Sequence, residues 1–459
     1  MTQFSVVSWN ILEQSFFASD KKRRADRAGL KKARRKKLQV PDHLSWQERS
    51  EEIARRLLET NADLICLQEV GRFNRLETLL SSESMSGLYL SRPILESSCS
   101  DGLAVFYNHQ RFKLLKNVDV FLNDLVDSDI PELKQISHQR NTAQLNNVAQ
   151  ILFLQDQNAS NNKIICLINC HIFWKPAVTN IKLLQAIYIL HQAHSNMLEL
   201  CNDKDLSNLK IDSSSFVTIF CGDFNSTPTS AVRTLLCDGK LLISHEDVQK
   251  FCLNNNNNNN DDKKTSNNID NDSDEIDNSN DNDDDKSKND NNSTLTMVEK
   301  HDNDKNEIFV SLFRPAFQSS YQIVNGCEPT FTNLTIDFCD CLDYILFDKD
   351  CLKPIDCEAI PTKHDLFTAH KQLQAKNDAS SNNNNDNNNA TSSNTTPQSH
   401  TKPKRQLNKK EQQQQQQEQL FKTLSKDPID FITFADNVYV PNRAYPSDHF
   451  MLRTTFQWQ

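Results

Sequence analysis

The run Phe216-Val-Thr-Ile-Phe-Cys-Gly-Asp223-Phe-Asn225-Ser-Thr-Pro228 ends an apolar, β-branched stretch in a carboxylate, a carboxamide and a turn. A buried strand that stops in this way carries polar groups to the rim of a sheet. Gly222 permits a tight turn, and Pro228 keeps the strand from resuming. Asp223 and Asn225 are two residues apart, so in strand geometry they point the same way and can share one ligand or one water. A single strand-end Asp is often only a turn former, but five further segments repeat the design. Phe4-Ser-Val-Val-Ser-Trp9-Asn10 ends on a carboxamide, Asp63-Leu-Ile-Cys-Leu-Gln68-Glu69 on an acid, and Ile164-Ile-Cys-Leu-Ile-Asn-Cys170-His171 on an imidazole. Cys341-Leu342-Asp343-Tyr344-Ile345-Leu346-Phe347 has an acid inside an apolar run, where an unpaired charge is costly. Tyr445-Pro446-Ser447-Asp448-His449-Phe450 precedes a closing strand from Met451 to Phe456. Hard oxygen donors of this kind hold a divalent cation, and imidazoles beside them donate to a charged substrate.

The elements that must position these groups are strands, interleaved with helices. One helix is announced by the capping box Ser45-x-x-Glu48, with Trp46, Ile53 and Leu57 at helical spacing. Of 459 residues, 254–307 are Asn/Asp-rich and 372–418 are Asn/Ser/Gln-rich, and neither tract can bury enough apolar surface to fold. Roughly 350 residues remain, enough for one large α/β domain. The first tract holds 16 acidic residues against six Lys, a net of -10 that equals the formal charge of the whole chain. The rest is near neutral, so the overall acidity does not exclude nucleic acid. Between Lys21 and Lys37 lie eleven Lys and Arg against one Asp, a basic segment suited to RNA phosphates, a nuclear-import address or a solvated face. The thirteen cysteines show no zinc spacing, which predicts reduced, mostly buried thiols. The first strand follows Met1 too closely for a cleavable presequence, and no apolar run reaches the length of a membrane span. The expectation is a cytoplasmic protein, with the nucleus open through the basic segment and no membrane partner.

The six stations, in this order, resemble the endonuclease/exonuclease/phosphatase superfamily of magnesium-dependent phosphoesterases. The resemblance runs from Trp9-Asn10 through Gln68-Glu69 and Gly222-Asp223-Phe224-Asn225 to Ser447-Asp448-His449. It implies a DNase I-like α/β fold, a four-layer α/β sandwich of two packed mixed β-sheets flanked by helices, with all six stations on one rim. A single catalytic domain would span 1–459, with 254–307 and 372–418 as disordered loop insertions. The cofactor implied is Mg²⁺, with Mn²⁺ as a substitute. Glu69 would be the primary ligand, with Asn10 and Asp448 beside it and Asp223 and Asn225 near enough to act through water or at a second ion. Asp223 would accept the proton of the attacking water, and Asn225 would fix the phosphate without adding repulsive charge. His449 would donate to a phosphate oxygen, with Asp343 setting its tautomer and keeping it cationic. His171 would be a second phosphate contact, and no covalent intermediate is needed.

Within the superfamily, His171-Ile-Phe-Trp174-Lys-Pro176 followed by Asn180-Ile-Lys-Leu-Leu-Gln185 looks like the Trp-Pro and downstream Gln pattern of carbon-catabolite-repressor-type deadenylases. Leu342-Asp343-Tyr344 departs from the Asp-Arg of inositol-polyphosphate phosphatases. In poly(A)-removing members a proline five residues after the His and a phenylalanine five before the Asp sandwich the terminal adenine; the matching positions are Pro176 and Phe338. Cys339-Asp340 stands where relatives often carry a basic residue and Gly, placing a negative charge near the phosphate path. The resemblance therefore implies a 3′ to 5′ exoribonuclease that acts on RNA 3′ ends, with poly(A) favoured, and releases 5′-nucleotides. A 2′,5′-phosphodiesterase, an Ngl-type RNase that trims ribosomal RNA, and a catalytically silent RNA-binding module are the alternatives. No leucine-rich repeat precedes the domain, so docking to a deadenylase complex through such repeats is not expected.

Overall fold

The structure, a computed structural model, describes residues 2–17, 45–81, 84–93, 101–127, 146–159, 163–242, 295–302, 305–312, 316–335, 338–366, 368–369, 372, 440–442 and 444–459. The chain opens with β1 (Gln3–Asn10), α1 (Trp46–Glu59), β2 (Leu64–Gln68), α2 (Phe73–Leu80), β3 (Met85–Ser91) and β4 (Gly102–Asn108). It continues through β5 (Phe112–Phe121), β6 (Val148–Asp156), β7 (Ile164–His171), α3 (Thr179–Cys201), β8 (Phe216–Asp223), α4 (Ala231–Asp238) and β9 (Lys240–Leu242). β10 (Leu295–Asp302), β11 (Lys305–Leu312), β12 (Gln318–Ser319), α5 (Ser320–Asn325), β13 (Asn333–Leu334) and β14 (Cys339–Asp340) follow. β15 (Asp343–Phe347), β16 (Leu352–Cys357) and β17 (Leu452–Trp458) close the chain.

Two six-stranded sheets form the body, in the orders β16-β17-β1-β2-β4-β3 and β12-β15-β8-β7-β6-β5. Both are mixed: β1/β2 and β7/β8 are parallel, and their other pairings antiparallel. The alternation along each strand assigns its faces. On β7, Ile165 and Leu167 point into the core between the sheets with Phe4, Val6, Leu64, Val217 and Ile219. Ile164, Cys166, Ile168 and Cys170 point the other way, against Leu183, Leu184 and Ile187 of α3 and Leu235 of α4. On β1, Val7 and Trp9 meet α1 through Trp46, Ile53 and Leu57. The result is helix, sheet, sheet, helix, the expected four-layer sandwich. Both faces of each central strand are covered, which is why these strands read as unbroken apolar runs.

The capping box forms as expected: Ser45 and Glu48 satisfy each other's backbone N–H groups at the start of α1. Residues 295–302 and 305–307, at the end of the first low-complexity tract, belong to the antiparallel pair β10 and β11. Pairing therefore begins inside the boundary drawn from composition, where Asn and Asp give way to Leu295-Thr-Met-Val. Residues 254–294 and 373–418, and the basic segment 21–37, lie outside the described residues. The described cysteines are all free; Cys66, Cys166, Cys170, Cys221 and Cys341 are buried and Cys327 is exposed. Among the described residues no helix is long and apolar enough to cross a membrane.

Candidate active site

Strand direction brings the stations together. Asn10 ends β1 and Glu69 follows β2, parallel neighbours with Asn10 opposite Gln68. His171 and Asp223 end the parallel pair β7 and β8 directly opposite each other. Asp343 begins β15, antiparallel to β8, and pairs with Asp223. His449 lies just before β17, antiparallel to β1. Strands ending and strands beginning thus meet at one rim, and the two sheets supply three stations each. Gln68 and Asn169 link the sheets beneath it: Gln68 Nε2 donates to Asn169 Oδ1 at 2.7 Å, and Asn169 Nδ2 donates to the carbonyls of Leu67 and Ala104.

Asn10 joins the acids. Its Nδ2 donates to Glu69 Oε1 and to Asp223 Oδ2, each at 3.0 Å, while its Oδ1 accepts from the Leu12 N–H. The nitrogen of this carboxamide, rather than its oxygen, faces the carboxylates. Glu69 Oε2 accepts from the Glu13 N–H at 3.1 Å. Asn225 donates its backbone N–H to Asp223 Oδ1 at 2.8 Å and its Nδ2 to the Ile172 carbonyl at 2.9 Å. Glu69 and Asn225 both have positive φ, 56° and 47°, which non-glycine residues seldom adopt. Asp448 contributes a carboxylate close to Glu69, and its carbonyl accepts from the Leu334 N–H at 2.8 Å.

Two imidazoles flank Asp223 with opposite character. His449 Nδ1 bonds Asp343 Oδ2 at 2.8 Å, and Nε2 lies 3.7 Å from Asp223 Oδ2. Burial alone would push its pKa down, but the Asp343 and Asp223 carboxylates overcome this and hold it well above the usual value. Asp343 is itself fixed by Thr332 Oγ1 at 2.6 Å, and the Trp9 indole N–H donates to the His449 carbonyl at 2.9 Å. His171 Nε2 stands 3.5 Å from Asp223 Oδ2, but burial and the Arg92 cation press its pKa well below normal. Arg92 bonds His171 Nδ1 and pairs with Asp101 at 3.2 Å, so the neutral ring carries its proton on Nε2, toward Asp223. Burial and the neighbouring Asp343 charge raise Asp223 to about 7.

Residues 7–449 match the sequence model of the Endonuclease/Exonuclease/phosphatase family. The chain belongs to that family. The 2′,5′-phosphodiesterase 12 of Bos taurus is 26% identical over 351 residues, covering 74% of this chain and 45% of the relative. The CCR4-Not complex 3′-5′-exoribonuclease subunit Ccr4 of Saccharomyces cerevisiae is 28% identical over 218 residues, 44% of this chain and 25% of the relative. The chain spans less than half the length of these relatives. Among solved structures, ANGEL2, a 2′,3′-cyclic phosphatase bound to adenosine-2′,3′-vanadate, superposes with a TM-score of 0.53 at 19% identity, covering 99% of this chain and 95% of that one. This likeness shows the DNase I-like fold.

The acids of this family member fit a hard divalent cation. Burial and the Asp448 charge raise the Glu69 pKa, the signature of carboxylates packed together short of positive charge. Asp223, Asp343 and His449 also bring ligand atoms within 4.8 Å of one another. There, however, the imidazole is held as a cation by its two carboxylates, and a protonated ring is no ligand. Glu69 with Asp448 is the better match. Asn10 Oδ1 would join them only if the amide turned over and released Leu12.

Hydrogen bonds and ion pairs connect Asn10, Glu69, Asp223, Asn225, Asp343, His171 and His449. Pro176 and Phe338 lie outside that network, Pro176 exposed after β7 and Phe338 half-buried before β14. Sequence reasoning missed the Arg92–Asp101 pair and Arg49. Arg49 is fully buried and donates to the carbonyls of Ile11, Leu12 and Pro446 and to Gln14 Oε1. Burial lowers its pKa to about 10 against the pull of Asp448, Glu13 and Glu69. A signal was present, because position 49 falls on the apolar stripe of α1 with Trp46, Ile53 and Leu57. A cation on such a stripe requires buried acceptors. Arg92 had no comparable mark.

Proposed function

We propose that this chain is a Mg²⁺-dependent 3′ to 5′ exoribonuclease that hydrolyses terminal RNA phosphodiesters to 5′-nucleotides and favours poly(A). The observation that carries the reading is one buried carboxylate, Asp223, flanked by a charged imidazole and a neutral one beside a cluster of acids. Bound at Glu69 and Asp448, with Asn10 at hand, Mg²⁺ would supply charge neutralisation of the phosphate and of the departing oxygen. Asp223, raised to about 7, accepts the proton of water. Asn225 orients the phosphate, and cationic His449, steadied by Asp343, donates to a phosphate oxygen. His171 presents its Nε2–H as a second, uncharged contact. Pro176 and Phe338 would take the terminal base between them, which supports a nucleotide substrate more strongly than adenine in particular. The chain would act as one catalytic domain with two insertions, in the cytoplasm or nucleus.

The 2′,5′-phosphodiesterase relatives, which match across 74% of this chain, favour a second reading in which 2′-linked oligoadenylate is the substrate. The test is purified protein with Mg²⁺ on 5′-labelled A₂₀, U₂₀ and 2′,5′-linked oligoadenylate. The expected result is a ladder that forms fastest on A₂₀. Faster cleavage of the 2′,5′ oligomer would shift the assignment, and tight binding with no cleavage would make this a silent RNA-binding module. Phe338→Ala should raise KM on A₂₀ by roughly 5-fold or more, one base stack, and weaken discrimination between A₂₀ and U₂₀, with turnover still measurable; unchanged preference would remove Phe338 from the base site.

A further inference from the structure

Three of the four tryptophans serve the core: Trp9, Trp46 and Trp458 are 3%, 8% and 7% exposed. Trp174 is 64% exposed. Leaving that much indole in water forgoes the burial that the other three obtain. Its place in the fold gives the exposure a use. Trp174 follows His171 by three residues, so its Cα lies within about 10 Å of the catalytic rim.

The backbone leading to it is pinned. The Ile172 N–H donates to the Asp223 carbonyl and the Ile172 carbonyl accepts from Asn225 Nδ2, both at 2.9 Å. The Phe173 N–H donates to Gln185 Oε1 at 2.9 Å, and Gln185 is fully buried on α3. Trp174 is therefore the first side chain beyond a segment held by two bonds to the site and one to α3. The Phe173 ring backs it at 6.2 Å between centroids, inclined by 49°. Exposed Lys175 and Pro176 follow.

We infer that Trp174 is a stacking platform for the base of the penultimate nucleotide, next to the terminal one assigned to Pro176 and Phe338. The inference rests on the exoribonuclease reading. A flat, rigid aromatic face suits any base, because every base has a π-face, so this contact supplies affinity without sequence preference. The terminal pair would then set base preference, and Trp174 the requirement for at least one further nucleotide.

On 5′-labelled A₂₀ with Mg²⁺, W174A should raise KM about 5- to 150-fold, the equivalent of about 1–3 kcal/mol for one stack. The kcat should stay within about twofold, because stacking is made equally in ground and transition states. W174F, which keeps an aromatic face, should recover most of the affinity. An A₂₀ lacking the base of its penultimate nucleotide should lose the same factor with the unaltered protein and nothing more with W174A. In EDTA, A₂₀ should quench the tryptophan emission of the unaltered protein and leave that of W174F unchanged. A protein that neither binds nor cuts RNA overturns the exoribonuclease reading together with this inference. Normal RNA cleavage with unchanged KM in W174A overturns this inference alone. Equal losses for W174A on the intact and the base-deleted substrate also overturn it.

Discussion

Glu69 and Asn225 hold left-handed backbone beside the two central carboxylate positions, a conformation that costs non-glycine residues roughly 1–3 kcal/mol each. Their side chains are the reason it persists, with Glu69 meeting Asn10 and the Glu13 N–H, and Asn225 meeting Ile172. The same residues crowd negative charge in a buried place, so the site is built for chemistry at the expense of stability. Glu69→Gln should therefore cut kcat by at least about 100-fold while leaving the melting temperature in EDTA equal or higher. Mg²⁺ should raise the melting temperature of the unaltered protein more than that of the variant. Calorimetry in EDTA and in Mg²⁺ checks this, and a variant that melts lower without metal would mean Glu69 is structural. Asp343→Asn should reduce kcat by about 10²- to 10⁴-fold, because the ring of His449 loses the acceptor that keeps it charged and oriented. Steady-state rates at saturating A₂₀ measure it, and near-normal turnover would separate His449 from catalysis.

Between elements, two close fits hold the rim in register. Helix α1 sends Arg49 under the site, where one guanidinium collects carbonyls from the segment after β1 and from the segment before His449. Arg49→Ala would leave those acceptors buried and unmatched. The expected loss is about 3–5 kcal/mol of unfolding free energy, read by urea denaturation. A loss below about 1 kcal/mol would show that water replaces the guanidinium. Strand β8 approaches β7 at Gly222, whose φ is +135° and where an added Cβ would fall 2.1 Å from the Cys170 carbonyl oxygen. Gly222→Ala must therefore displace His171 from Asp223. It should cost more than about 1 kcal/mol and lower activity together with stability, which paired denaturation and rate measurements would reveal.

At the scale of the whole molecule, the connection from β9 to β10 spans 243–294, and the Asn/Asp-rich stretch 254–294 within it has too little apolar surface to fold. Closing a loop of half the length gains only about 0.6 kcal/mol, so replacing 254–294 with a short Gly/Ser linker should shift stability by no more than about 1–2 kcal/mol. Rates on A₂₀ should stay within about twofold of the intact chain, a larger loss showing that the insertion touches substrate. The central strands were legible in the chain itself, whereas the four-layer sandwich came from the family resemblance of the six stations. Central strands covered on both faces must be apolar throughout, and a polar residue ending such a run has no place except the rim, so Asn10, Glu69, His171 and Asp223 declare themselves. Arg92 and Asn169 could not be read that way, because Arg92 meets His171 and Asn169 meets Leu67, Gln68 and Ala104 across 65 to 102 residues and neither ends a recognisable pattern. The resemblance already implied a cationic His449; tertiary structure alone decided that the pKa of His171 is pressed the other way. Their local sequences hold no such distinction; the difference comes from Arg92 facing one ring and Asp343 the other across the folded rim. Residue types and order determined the family of chemistry, while the charge each imidazole carries depends on long-range Coulomb interactions that exist only after the two sheets pack.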